Sequence, residues 1–144
     1  MTPFETLTAE ENETLLMFPA YISMLAAHTD TLDEVEKMAA IKFAHTKTFT
    51  CDPLLVDFYQ EADKNFESTI EKLDQKLPKD PNSRNTAIKE ELENIETIVS
   101  KLGSEYADTM QRSMESFRKH VSKAHHNVLE DFIFPIPISG LTNK

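Results

Sequence analysis

Residues 84–131 read RNTAIKEELENIETIVSKLGSEYADTMQRSMESFRKHVSKAHHNVLED, and the fold turns on how this stretch divides. Apolar side chains recur at Ile88, Leu92, Ile95, Val99 and Leu102. They continue without a phase error through Tyr106, Met110, Met114, Phe117, Val121, Ala124 and Val128. Steps of three and four place them all on one helical face. Read by periodicity alone the stretch is one helix, since an interior glycine costs only about 1 kcal/mol relative to alanine. Length argues for a break. At 1.5 Å per residue the uninterrupted helix would be roughly 70 Å long, with much of its stripe unmatched by the rest of the chain. The expected break is Gly103-Ser104, with Gly103 as a C-terminal cap and Ser104 opening a last helix of roughly 40 Å. An unbroken or merely kinked helix is the alternative, and it would need a second copy to cover its protruding half.

Upstream, Asp52-Pro53 reads as a helix start, with Asp as N-cap and Pro at the first position, where its missing N–H costs nothing. Leu55, Phe58 or Tyr59, Ala62, Phe66, Ile70, Leu73 and Leu77 then form one stripe on one continuous helix. Pro78, Pro81, Asn82 and Ser83 end it. Nearer the start, Thr8 and Glu11 have capping-box spacing, and so do Thr31 and Glu34. Residues 15–27 are apolar almost all round, which predicts a central helix touched on several sides, kinked or restarted at Pro19. A shorter helix carries Val35, Met38, Ala39 and Ile41 toward Phe43 or His45, and residues 46–50 read as a connection or a frayed last turn. The expected architecture is a single all-α domain over 1–144, an antiparallel bundle of about five helical segments with an extended apolar C-terminal tail. Pro135 and Pro137 are incompatible with a helix through that tail. Its apolar residues Phe132, Ile133, Phe134, Ile136 and Ile138 are expected to pack across the mouth of the bundle or into a partner.

Composition narrows the chemistry. Only Gly103 and Gly140 occur, so repeated β-hairpin turns and glycine-rich phosphate cradles are excluded in their usual forms. Cys51 is the single cysteine, which rules out an internal disulfide. Residues 15–27 are too short and too interrupted to cross a bilayer, residues 1–14 carry no apolar leader, and the expected compartment is the cytoplasm. The net charge is −10, carried essentially by the first hundred residues, and such a surface repels a nucleic-acid backbone. Arg112, Arg118, Lys119 and Lys123 form the one candidate basic stripe, expected to complement acidic neighbours within the bundle.

Candidate sites are sparse. No Glu-x-x-His or His-Glu-x-x-His occurs. His28 and His45 stand near expected helix ends, where an imidazole caps the negative end of the dipole. A site formed by His28, Asp30 or Asp33 and a histidine from the last helix is geometrically possible. His120, His125 and His126 cluster closely enough to form a pH-sensitive or metal-binding face, beside the ordinary reading as solvated histidines. Cys51 precedes an N-cap and makes a poor nucleophile. Glu90, Glu91, Glu93 and Glu96 solvate the outer face of their helix.

The run Met24-Leu25-Ala26-Ala27-His28-Thr29-Asp30-Thr31-Leu32-Asp33-Glu34-Val35-Glu36 resembles the TerB-like family, associated with tellurite resistance. In that family an alanine-rich helix leads through a short acidic turn to a glutamate opening the next helix. Leu32 stands at the apolar turn position and Glu36 at the family glutamate. Thr29-Asp30 replaces the usual Asp-Gly, so one carboxylate associated with the family's metal site is missing. The resemblance implies an all-helical, non-enzymatic domain, a stress-linked role and divalent-metal binding by Glu36 with Asp30 or Asp33 as substitute ligands. From its residues alone, Glu36 is an early-helix charge favourable to the N-terminus. The function expected is therefore a non-enzymatic helical interaction or scaffold protein, acting as a homodimer or with a protein partner, without cofactor, nucleic acid or membrane. The alternative is a divalent-metal-binding domain using Asp30, Asp33, Glu36 and His28.

Overall fold

The structure, a computed structural model, describes the backbone of residues 3–25 and 34–133 and the side chains of 5–25 and 34–123. Every regular element among the described residues is helical. They are α1 (Ala9–Leu16), α2 (Phe18–Leu25), α3 (Glu34–Thr50), α4 (Val56–Lys64), α5 (Phe66–Lys76), α6 (Pro81–Ser100) and α7 (Ser104–Ile133), with single 3-10 turns at Pro3–Thr6 and Pro53–Leu55. The all-α expectation holds. There are more segments than the five expected, because two of the expected helices are each interrupted.

The first interruption is at Met17. The α1 start is a complete capping box: the Glu11 N–H donates to Thr8 Oγ1 and the Thr8 N–H to Glu11 Oε1, both at 3.0 Å. Glu11 also takes the Lys101 ammonium, which ties α1 to the end of α6 and holds its carboxyl below the usual range. The Met17 N–H donates back to Thr14 at 3.1 Å, closing α1. The chain restarts at Phe18, so Pro19 falls in a first turn, where it needs no donor. Residues Phe18, Pro19, Ala20, Tyr21, Ile22, Ser23 and Met24 are all buried, and α2 contacts α1, α3, α5, α6 and α7. It is the central helix that its all-round apolar composition predicts. The Ser23 hydroxyl is satisfied within the helix, donating to the Pro19 carbonyl at 2.8 Å.

α3 runs on through residues 46–50, so that stretch is helix rather than connection. Its threonines do not break the helix, because their hydroxyls bond carbonyls of their own turn, Thr48 to His45 at 2.6 Å and Thr50 to Thr46 at 3.2 Å. Asp52 caps the next start as expected, its Oδ1 accepting the Leu54 N–H at 2.9 Å. The long stripe from Leu55 to Leu77 is buried as predicted, but not on one helix. The backbone leaves the helical region at Asn65 (φ −129°, ψ 25°) and resumes at Phe66. Asn is a residue that competes well for such non-helical positions. One interrupting residue preserves the phase, so Ala62, Phe66 and Ile70 still face the same core.

α6 begins at Pro81, capped by Asp80, whose Oδ2 accepts the Ser83 N–H at 2.9 Å. Arg84 is buried in its first turns and meets the Asp74 carboxylate of α5. The break at Gly103 is real, with φ +101°, and excludes an uninterrupted helix. Its capping role differs from the expectation. Lys101 caps α6, and the N–H groups of Lys101, Leu102 and Gly103 donate to carbonyls three residues back. Gly103 instead caps α7, its carbonyl accepting the Ala107 N–H at 3.0 Å. At its far end α7 takes in Phe132 and Ile133, the first two residues of the expected tail, and stops short of Pro135 and Pro137. Pro135 restricts chiefly the residue before it, so a helix through Ile133 is permitted. Phe134, Ile136 and Ile138, and with them the packing of the tail, lie outside the described residues.

The core joins Phe58 and Tyr59 of α4, Phe66 and Ile70 of α5, Ile88 and Ile95 of α6, and Met110, Phe117 and Val121 of α7 around α2. No helix among the described residues is long and apolar enough to cross a membrane.

Two outcomes follow from this packing. An added Cβ at Gly103 meets nothing within 4 Å, so Gly103→Ala should act through backbone strain alone and cost about 1–3 kcal/mol in urea denaturation. An unchanged midpoint would contradict the positive φ. The three tyrosines of the chain, Tyr21, Tyr59 and Tyr106, are all buried, and burial pushes each hydroxyl above its usual value of 10.0. The neutral form is favoured in the fold, so this stabilisation is complete below pH 10 and lost as pH rises through the folded values. Absorbance at about 295 nm should show no native tyrosinate near pH 10 and a cooperative rise only on alkaline unfolding.

Candidate functional site

The core stripe of α7 sets what its other faces can present. Met110, Ser113, Met114, Phe117 and Val121 are buried, which leaves Arg112, Ser116, Lys119 and Lys123 exposed in steps of four, three and four. These spacings put the four on one ridge. The ridge lines a groove of about 640 Å³ whose opposite wall is Phe43 of α3, with Gln111, Glu115 and His120 completing the lining. α3 and α7 are in direct contact, so the groove lies over a packed seam.

Phe43 is held from several directions. Its ring lies edge-on to Phe117 at 5.0 Å and 81° between planes, is stacked by His120 at 4.3 Å and 18°, and has Lys47 Nζ 5.3 Å from its centroid. The ammonium so placed gains from the quadrupole of the ring. Partial withdrawal from water pushes the His120 imidazole below its usual 6.5, which favours its neutral form.

The electrostatics of the ridge differ from the sequence expectation. Arg118 pairs with Glu115 one turn back, with Nε 3.2 Å from Oε1 and a closer contact from Nη2, and Arg118 holds the Glu115 carboxyl below its usual range. Arg112, Lys119 and Lys123 form no ion pair among the described residues, and Arg112 reaches only the Thr109 hydroxyl at 3.4 Å. Among the described residues no acidic side chain of another helix pairs with them. The reason is the wall they face: α3 carries its acids at Glu34 and Glu36, in its first turn, and presents Phe43 and Lys47 here. What remains is a groove with three cations along one side, an aromatic ring on the other, and a single carboxylate already paired with Arg118. It can hold an anion. Among the described residues no three His, Cys, Asp or Glu side chains converge as metal ligands.

The other predicted residues are dispersed. His28, Asp30 and Asp33 lie outside the described residues, as do the side chains of His125 and His126. Glu36 stands in the first turn of α3, the early-helix position expected of it, and is fully buried there because its face of α3 turns inward. His45 does not cap a helix end, because α3 continues past it to Thr50; its Nδ1 lies 2.9 Å from Asp63 Oδ2 of α4. Burial pushes the Cys51 thiol above its usual range, which opposes nucleophilic use. Phe43 is the residue that sequence reasoning missed. Its position at the end of an expected helix carried no sign that His120, 77 residues away, stacks on it.

No family model matches the chain, and neither does any curated protein or solved structure.

His120 provides a direct check on the groove. Its ring should titrate below 6.5 in NMR, and Phe43→Ala should move it upward by opening the ring to water. Because the folded value is depressed, the associated stability is present above 6.5 and lost as pH falls through the folded value. A His120 titration at or above 6.5 in the native protein would contradict the stacked geometry.

Proposed function

We propose that this chain is a non-catalytic helical interaction domain that receives an acidic partner in the groove between α3 and α7. The observation that carries the reading is the alignment of Arg112, Lys119 and Lys123 along one groove, without an ion pair among the described residues, in a chain of net charge −10. Cations so aligned offer a partner a complementary potential, which raises encounter rates and fixes register. Arg is enriched where interfaces concentrate their energy. The acidic remainder of the surface repels polyanions elsewhere, so a negatively charged partner is directed to this face.

The test is binding of fluorescent poly-L-glutamate by anisotropy at low ionic strength. Lys119→Glu with Lys123→Glu should weaken it about ten-fold or more, equivalent to at least about 1.4 kcal/mol. Lys64→Glu with Lys76→Glu, on α4 and α5, makes the same change in net charge away from the groove and should have a much smaller effect. Equal losses in the two double variants would reduce the interaction to net charge and sink the proposal.

A further inference from the structure

We infer that the occupant of the groove is an amphipathic acidic helix from a different protein chain; this rests on the anionic-partner reading above. The cation ridge runs from Arg112 to Lys123, eleven residues of helix or about 16 Å. A single phosphate or a free carboxylate is too compact to engage its whole length. The spacing within the ridge is more selective. Arg112 to Lys119 is about 10 Å along the axis and Lys119 to Lys123 about 6 Å. Carboxylates on another helix reproduce both gaps when placed seven and four residues apart. An extended peptide repeats side chains on one face only about every 6.8 Å, so it matches the short gap and misses the long one. The helix-in-groove mode uses such residue spacing for its anchors.

The floor of the groove sets the second requirement. Phe43 is stacked by His120, edged by Phe117 and overlain by Lys47, which leaves no open ring face for a nucleobase or flat cofactor. Being only half-buried, it still offers an apolar rim opposite the charged ridge. An aliphatic side chain between two carboxylates of the partner helix would cover it, combining apolar burial with charge pairing.

A second copy of this chain fits less well. Its α4 and α5 carry acids at the matching spacing, Asp63, Glu67 and Asp74, but Asp63 is held by His45 and Asp74 by Arg84. Its α6 exposes Glu90, Glu93 and Glu96 over only six residues, about 9 Å, with Lys89 on the same side. That array is too short for the ridge and carries a repelling charge.

The experiment compares two helical peptides of identical composition in anisotropy titrations with the full chain. One places Glu at positions i, i+4 and i+11 with a Leu on the same face; the other disperses the same Glu residues around the helix. Expected are about ten-fold tighter binding of the patterned peptide, loss of that preference in Lys119→Glu with Lys123→Glu, and a larger effect of Phe43→Ala on the patterned peptide than on poly-L-glutamate. Equal affinity for the two peptides would overturn the helical occupant while leaving an anion-binding groove. Displacement of the patterned peptide by tripolyphosphate at equal concentration would also overturn it, in favour of a compact anion. A concentration-dependent mass in light scattering, abolished by the double variant, would overturn it in favour of a second copy. Failure of both peptides and of poly-L-glutamate would remove the anionic-partner reading as well.

Discussion

Gly103 holds its backbone at φ +101°, a conformation that side-chain-bearing residues rarely accept, and the placement of α7 depends on it. The apolar stripe keeps its phase across this point, so nothing in the hydrophobic pattern itself stops the helix. Only the backbone does. By ending α6 at Ser100 and capping α7 with the Gly103 carbonyl, the junction allows both helices to pack on α2. One chain can then bury a stripe that a single straight helix would leave half exposed.

Around that junction the fold is organised by α2, whose residues are buried on every side. Its position is consistent with its restart at Phe18: the break at Met17 puts Pro19 where a missing N–H is harmless, so the most apolar helix of the chain can occupy the centre without an unpaired donor from its proline. The surrounding helices present one apolar face each and leave the other to solvent. α7 carries Arg112, Lys119 and Lys123 along one exposed ridge, although most of the charge excess of the chain is acidic. That ridge lies beside Phe43 of α3, and among the described residues its three cations form no ion pair.

The groove is thus a by-product of two independent requirements. The core demands Met110, Met114, Phe117 and Val121 on one side of α7, which forces Arg112, Lys119 and Lys123 elsewhere on the helix. The aromatic contact between Phe43 and Phe117 sets the α3 wall, and His120, three residues after Phe117, is carried onto the other side of the same ring. A single half-buried ring therefore joins the core through Phe117 and lines the groove as well. Proximity to this ring explains both the depressed basicity of His120 and the apolar floor beneath the cations.

Local chemistry was legible from the residues. The Thr8–Glu11 box, the Asp52-Pro53 start, the stripes and the Gly103 break each depend on neighbours within a few positions, as does the identification of Arg112, Lys119 and Lys123 as a basic stripe. The helical interruption at Asn65, the helix through residues 46–50, the burial of Glu36 and the pairing of His45 with Asp63 were not legible. Each depends on what lies across from the residue. Periodicity determines the direction of a side chain about its own helix axis, and so the all-α class and the buried faces are properties of the sequence by itself. It carries no information on which helix stands opposite. That choice belongs to tertiary packing, and for that physical reason the aromatic wall that Phe43 sets opposite the α7 cations could not be read from the basic stripe itself.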